Sequence, residues 1–226
     1  MLTSGRGSMI LRGKATYRVG HIEALEHGEV RSMIDFDPIE RIPLQDRDLL
    51  ERLDSYFDSV DTRLRRGEGW VIFNADGGRS QRITRYIQQR LIELLPRWSY
   101  LYMPWRDLAL TSYVVQVELP GVQPPALEGR ARKEYDIATR VSRQTMARSV
   151  TADLLVVSGL RPQHAHEVRY LAETLEHRYR DRLATIILTP DQPHELADEI
   201  SRTAEFGAET WHQIESRLYE TNLIAF

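Results

Sequence analysis

The 226 residues contain no cysteine, so no disulfide framework and no thiolate metal site can form. Lysine is almost as scarce: apart from Lys14 and Lys133, all 30 cationic side chains are arginine. Arginine is the better partner for phosphate and carboxylate, but a GC-rich genome produces the same bias, so composition alone assigns no such use. No apolar run approaches about 18 residues, which excludes a spanning helix. The first residues do not read as a secretory signal, and a cytoplasmic protein is expected. There is little surplus charge either. A formal net charge of -3 gives no overall attraction to nucleic acid, so any such binding requires a local patch. Internal repeats and low-complexity segments are absent. What is present is 42% hydrophobic sequence, enough to build a proper core over this length.

Periodicity organises the chain. Residues 1–45 are irregular, with Gly5, Gly7, Gly13, Asp37-Pro38 and Ile42-Pro43, and read as a partly flexible N-terminal arm. From Asp46 onward Leu49, Leu50, Leu53, Phe57 and Val60 recur at helical spacing, and Gly67-Glu68-Gly69 closes that helix. Trp70–Phe73 reads as a strand, Ile83, Ile87, Leu91 and Leu94 as a helix ending at Pro96, and Trp98–Met103 as a second strand. Tyr113–Leu119 also has strand character, followed by a loop at Pro120-Gly121 and Pro124-Pro125. Residues 128–150 are polar, arginine-rich and partly helical in pattern. Leu154–Val157 and Thr185–Leu188 are short continuous apolar runs, as buried parallel strands require. Helical spacing returns at Val168, Leu171, Leu175 and Tyr179, then at Leu196 and Ile200, then at Trp211, Ile214 and Leu218, before a closing strand at Leu223–Phe226. Alternating strands and helices of this length predict an α/β fold built of βαβ units around a parallel sheet. One domain, residues 46–226, follows the arm.

The stretch Val71-Ile72-Phe73-Asn74-Ala75-Asp76-Gly77-Gly78-Arg79-Ser80 leads from the first strand into a helix. A phosphate-binding loop needs inward N–H groups, small residues, a lysine for the β/γ-phosphates and a hydroxyl for magnesium. Gly77, Gly78 and Ser80 meet the geometric demands, and the helix offers its positive N-terminus. Arg79 supplies charge in a bulkier, planar form, and Asp76 would repel an anion. The stretch is also one residue short if Asn74 stands for the motif's first glycine. A nucleotide loop and a plain tight turn both remain open on these residues.

The region from about residue 46 to the C-terminus resembles the AAA+ ATPases of the helicase-loader type, the DnaC-like and IstB-type proteins. The resemblance runs through Gly69–Phe73, Tyr100–Leu108, Ala152–Val157, Leu175–Thr189, Glu195-Leu196-Ala197 and Ser216-Arg217-Leu218. It implies a five-stranded parallel sheet flanked by helices, the AAA+ P-loop NTPase core. It also implies departures. The Walker A lysine falls on Arg79, the two Walker B acids on Ser158 and Gly159, and the sensor asparagine on Pro190. Asp153 stands at the far end of its strand and offers no substitute. Hydrolysis depends on the metal and on an oriented water, so no catalytic residue is expected. Gly77, Gly78, Arg79 and Ser80 are then a degenerate nucleotide site. The family's arginine finger falls on Arg217, which either serves a neighbouring subunit in trans or forms a salt bridge to a carboxylate such as Glu220.

Arg130, Arg132, Lys133, Arg140, Arg143 and Arg148 face only Glu134 and Asp136 as opposing charge in their span. They form either a DNA-contacting patch, as this segment often does in the resembled family, or an ordinary solvated helix face. Arg79, Arg82 and Arg85 make a second cluster, suited to a phosphate without magnesium or to a protein contact. His164, His166 and Glu167 lack a third metal ligand within reach by sequence and read as a solvated loop. Trp70, Trp98, Trp105 and Trp211 read as core or sheet-edge residues. The expectation is a catalytically inactive AAA+-like interaction protein of a DNA replication or transposition assembly. Its partner would be a protein, such as an active AAA+ ATPase or a helicase, with DNA contacted through the basic patch and no membrane. No cofactor is expected. The alternative is a loader-like protein that binds ATP without a well-formed magnesium site.

Overall fold

Leu49, Leu53 and Phe57 place one buried stripe along helix α1 (Leu44–Asp58), as their spacing requires. The computed structural model describes residues 43–119 and 129–226, which all fall within one compact unit. Most of the arm expected over residues 1–45 lies outside the described residues, as does the loop at Pro120-Gly121 and Pro124-Pro125. Helix α1 does not continue through Val60, as its period suggests. At Ser59 the side-chain hydroxyl donates to the Ser55 carbonyl at 2.9 Å, a local competition to which serine is prone, and the helix breaks. A short helix α2 (Val60–Arg66) resumes and is capped by Gly67 in the left-handed conformation.

Then follow β1 (Gly69–Ile72), α3 (Gly77–Glu93), β2 (Tyr100–Pro104), α4 (Trp105–Tyr113) and α5 (Gly129–Thr151). After them come β3 (Leu154–Ser158), α6 (Ala165–Arg180), β4 (Ala184–Leu188), α7 (Pro193–Thr203), α8 (Gly207–Thr221) and β5 (Asn222–Ala225). Among the described residues the strands form one five-stranded sheet in the order β2-β3-β4-β1-β5. Every pairing is parallel, with Val71 opposite Ile187 and Ile224, and Val156 opposite Tyr102 and Ile186. Successive strand residues face opposite ways, so the sheet feeds two cores at once. Trp70, Ile72, Leu154, Val156, Ile186 and Leu188 pack with Leu53, Phe57, Ile83 and Ile87 of α1 and α3. Val71, Phe73, Leu155, Val157 and Ile187 pack on the other face with Trp105, Val168, Leu171, Leu196 and Leu218 of the later helices. The expected α/β architecture, a parallel sheet with helices on both faces, is the one observed.

One element differs in kind. The alternating valines of Tyr113–Leu119 predict a strand. The chain instead runs out of α4 as a π-helical turn, Val114–Glu118, and Leu119 is buried. Trp105, Leu108, Ala109 and Ser112 already commit α4 to one buried face, and the valines extend that helix instead of opening a new strand. Packing has overridden β-propensity here.

Candidate functional site

In a parallel sheet of this kind ligands bind beyond the carboxyl ends of the strands, so those of β1, β3 and β4 frame the candidate site. β1 ends in the turn Phe73–Asp76, and α3 opens at Gly77 with φ +40°. Asn74 also has a left-handed backbone, φ 53°. The turn's amides do not all point inward. The Asn74 N–H donates to the Asp191 carbonyl at 3.3 Å and the Ala75 N–H to the Thr189 carbonyl at 2.8 Å, which ties the turn to the end of β4. Gly77 and Gly78 are exposed, and Ser80 is half-buried with its N–H on the Asp76 carbonyl at 2.9 Å. Asp76 stands at the N-cap of α3 but makes no side-chain capping bond.

Arg79 turns inward. Its Nη1 donates to the carbonyls of Phe73 at 3.3 Å and Asn74 at 3.2 Å, and its Nη2 to that of Phe226 at 2.8 Å. Its Nε lies 3.0 Å from Oδ1 of Asp46, a carboxylate only 1% exposed on α1. Arg82, one turn further along α3, holds the other oxygen of the same carboxylate through Nε at 3.1 Å and through Nη2. The carboxylate of Asp46 therefore occupies the anion position of an arginine pair. Arg79 itself is a brace joining the turn, α1 and the end of β5. Arg85, third of the expected cluster, is exposed and apart from this arrangement. Asp46 had no sequence signal beyond an acid at a helix start; only the fold brings it to residues over thirty positions away.

The other expected positions fall at the same edge. Ser158 ends β3, its Oγ 3.0 Å from the Tyr102 hydroxyl, and Gly159 follows with φ +68°. Pro190 follows β4 and Thr189. Asp191, a buried carboxylate next to Pro190, is paired with Arg161, whose Nε lies 3.1 Å from Oδ1. That hydrogen bond raises the Arg161 guanidinium above its ordinary range. Asp153 lies at the opposite end of β3, where its Oδ2 accepts from Ser99 N–H at 2.8 Å and Ser99 Oγ at 2.6 Å. Magnesium does not fit these residues: the tip of β3 presents a hydroxyl engaged by tyrosine and a glycine, and Asp191 is committed to Arg161.

Arg217 lies elsewhere, on α8 near the start of β5. Its Nε donates to Glu176 Oε2 at 2.8 Å, and its guanidinium covers the Tyr179 ring at 4.2 Å. Glu220, the carboxylate expected to hold it, is at 3.9 Å and secondary. The cations of α5 are divided by their contacts. Arg130 pairs with Glu134 at 2.6 Å, Arg132 with Asp136 at 3.1 Å, and Arg148 donates to the Tyr100 carbonyl at 3.1 Å. Lys133, Arg140 and Arg143 are exposed, with no ion pair among the described residues. At 100° per residue the six span about 160° of the helix, wider than a single stripe. His164 and His166 stack on each other with ring centroids 5.6 Å apart, and among the described residues no group of three metal-ligating side chains forms. Nor, among those residues, is any helix long and apolar enough to cross a membrane.

No protein-family model matches the sequence, and no curated protein matches it. Solved structures do. The crystal structure of the DnaC helicase loader is similar with a TM-score of 0.53 at 13% identity, over 81% of this chain and 90% of that one. The structure of a DNA replication initiation factor gives a TM-score of 0.48 at 13% identity, over 81% of this chain and 47% of that one. Likeness at this identity concerns the fold. What the chain shares with that loader is the α/β fold, a five-stranded parallel sheet flanked by helices.

Proposed function

We propose that this chain is an AAA+-fold interaction protein of a DNA replication or transposition assembly that does not hydrolyse ATP. The observation that carries the reading is the inward Arg79: the side chain in the lysine position is committed to three carbonyls and to Asp46. A catalytic lysine must reach the β/γ-phosphates, and a bound magnesium must be held by an acid at the tip of β3. Here Asp46 satisfies the arginines in place of phosphate, and Ser158 and Gly159 supply no carboxylate. The fold shared with a helicase loader supports the replication setting, in which a protein partner, an active AAA+ ATPase or a helicase, is the expected contact. Arg217 remains the residue through which such a partner's nucleotide would be met, once freed from Glu176. The exposed Lys133, Arg140 and Arg143 are the part of α5 open to DNA.

Calorimetric titration of ATP into the purified chain, with magnesium and again with EDTA, tests this alongside a phosphate-release assay. The expected result is no saturable heat in either buffer and no phosphate release. Saturable binding in EDTA without turnover would replace this reading with that of an ATP-binding loader-like protein. Magnesium-dependent binding with turnover would overturn it.

A further inference from the structure

The edge of the sheet opposite the glycine turn carries a second concentration of charge. A recess of about 440 Å³ opens there between the end of α2, the turn joining α6 to β4, and the end of α8. Arg65, Arg66, Arg180, Arg182 and Arg217 line it with the buried Arg178, and no carboxylate among the described residues does. In a chain of net charge -3 this is a local reversal of sign.

The backbone explains how the arginines meet. Gly67 has φ +69°, and a Cβ there would come within 2.8 Å of the Arg182 main chain. Two left-handed turns thus pack against each other, and each carries its own cations. Glycine is the usual residue for such a turn; Arg182, with φ 53°, is not. An arginine standing where glycine would sit without strain points to use of its side chain.

The contacts sort the cations. Arg178 is spent on the carbonyls of Ser149, Ala152 and Ala184 and on the Thr185 hydroxyl. Arg217 is held by Glu176, Arg66 lies 3.5 Å from Glu68, and Arg180 is 3.9 Å from Asp181. Arg65 and Arg182 are exposed and have no ion-pair partner among the described residues.

We propose that this recess binds the phosphodiester backbone of a nucleic-acid strand, with Arg65 and Arg182 as its main contacts and Arg66 and Arg180 beside them. The helix ends decide between a strand and a small anion sunk in the recess. α2, α6 and α8 all finish at this edge, so their carbonyl ends oppose a phosphate at the bottom. A strand laid across the mouth meets guanidinium groups that reach past those ends. Arginines spread over separate elements also suit successive phosphates better than one. The assignment stands whether or not the glycine turn binds ATP.

Fluorescence anisotropy of a labelled single-stranded oligonucleotide at low salt tests it, with melting temperature read in parallel. The double variant Arg65→Ala/Arg182→Gly is compared with Arg85→Ala/Arg106→Ala, which removes equal charge from exposed positions elsewhere. The first variant is expected to weaken binding by at least about tenfold. It should also lower the slope of log K against log salt by about 1.4, roughly 0.7 for each phosphate that is no longer neutralised. Arg182→Gly alone should keep or raise the melting temperature while weakening the oligonucleotide, a combination that a purely structural cation at a helix end would not give. The control pair should bind as the unmodified protein does. No binding by the unmodified protein, or equal weakening by both double variants, would overturn the site. Displacement of the strand by micromolar inorganic phosphate would overturn the strand in favour of a small anion.

Discussion

Residue by residue, the informative position is Arg79. Its place after the glycine turn is legible in the sequence, but its direction is not. That direction depends on Asp46, which α1 delivers at 3.0 Å, and on the carbonyl of Phe226 at 2.8 Å. Removing one partner of a buried pair leaves the other charge uncompensated, which typically costs about 3–5 kcal/mol. Asp46→Asn should therefore lower the unfolding free energy by about 3 kcal/mol in urea denaturation. Arg79 and Arg82 would then lack a carboxylate, so inorganic phosphate should recover part of the lost melting temperature in the variant and none in the unmodified protein. Arg79→Lys places the lysine of a phosphate-binding loop at this position, yet phosphate release should stay absent, because Ser158 and Gly159 still present no carboxylate at the tip of β3.

Among the elements, the junctions at the amino ends of the strands depend on particular side chains. Arg178 is fully buried at the end of α6, and burial pulls its guanidinium down to about 10. It stays charged at neutral pH, held by the Thr185 hydroxyl at 2.9 Å and by the carbonyls of Ser149 at 3.0 Å and Ala152 at 2.9 Å, and of Ala184. Arg178→Met would leave these acceptors dry and unpaired, and a loss of about 4 kcal/mol is expected in the same denaturation experiment. Gly69 opens β1 where a Cβ would overlap the Thr185 carbonyl oxygen and the Asn222 side chain. Gly69→Ala should cost about 3 kcal/mol by forcing β1 from β4 and β5. Helix boundaries are legible in the sequence where glycine or proline marks them, as at Gly67. The valine-rich stretch Val114–Glu118 misleads because its residue types favour strands while its neighbour α4 fixes a helix.

In the whole molecule, the two cores share one sheet. Alternate residues of β1 and the turn after it serve opposite faces, Trp70 and Ile72 one, Val71 and Phe73 the other. Neither core can dissolve without breaking strands that the other needs, so one cooperative transition is expected. Single-tryptophan variants retaining Trp70 in one core or Trp105 in the other should give coincident fluorescence transitions that match circular dichroism. Separate midpoints would show independent layers. The sequence by itself determined the α/β class, most of the order of strands and helices, Val114–Glu118 excepted, and which side chains stand around the glycine turn, because strand and helix periods and side-chain chemistry are local properties. Only the tertiary structure decided that Asp46 closes on Arg79 and Arg82, that Arg217 rests on Glu176, and that Arg65 and Arg182 share a recess. Those meetings join residues far apart in the chain, and burial and Coulomb attraction act on distance in space.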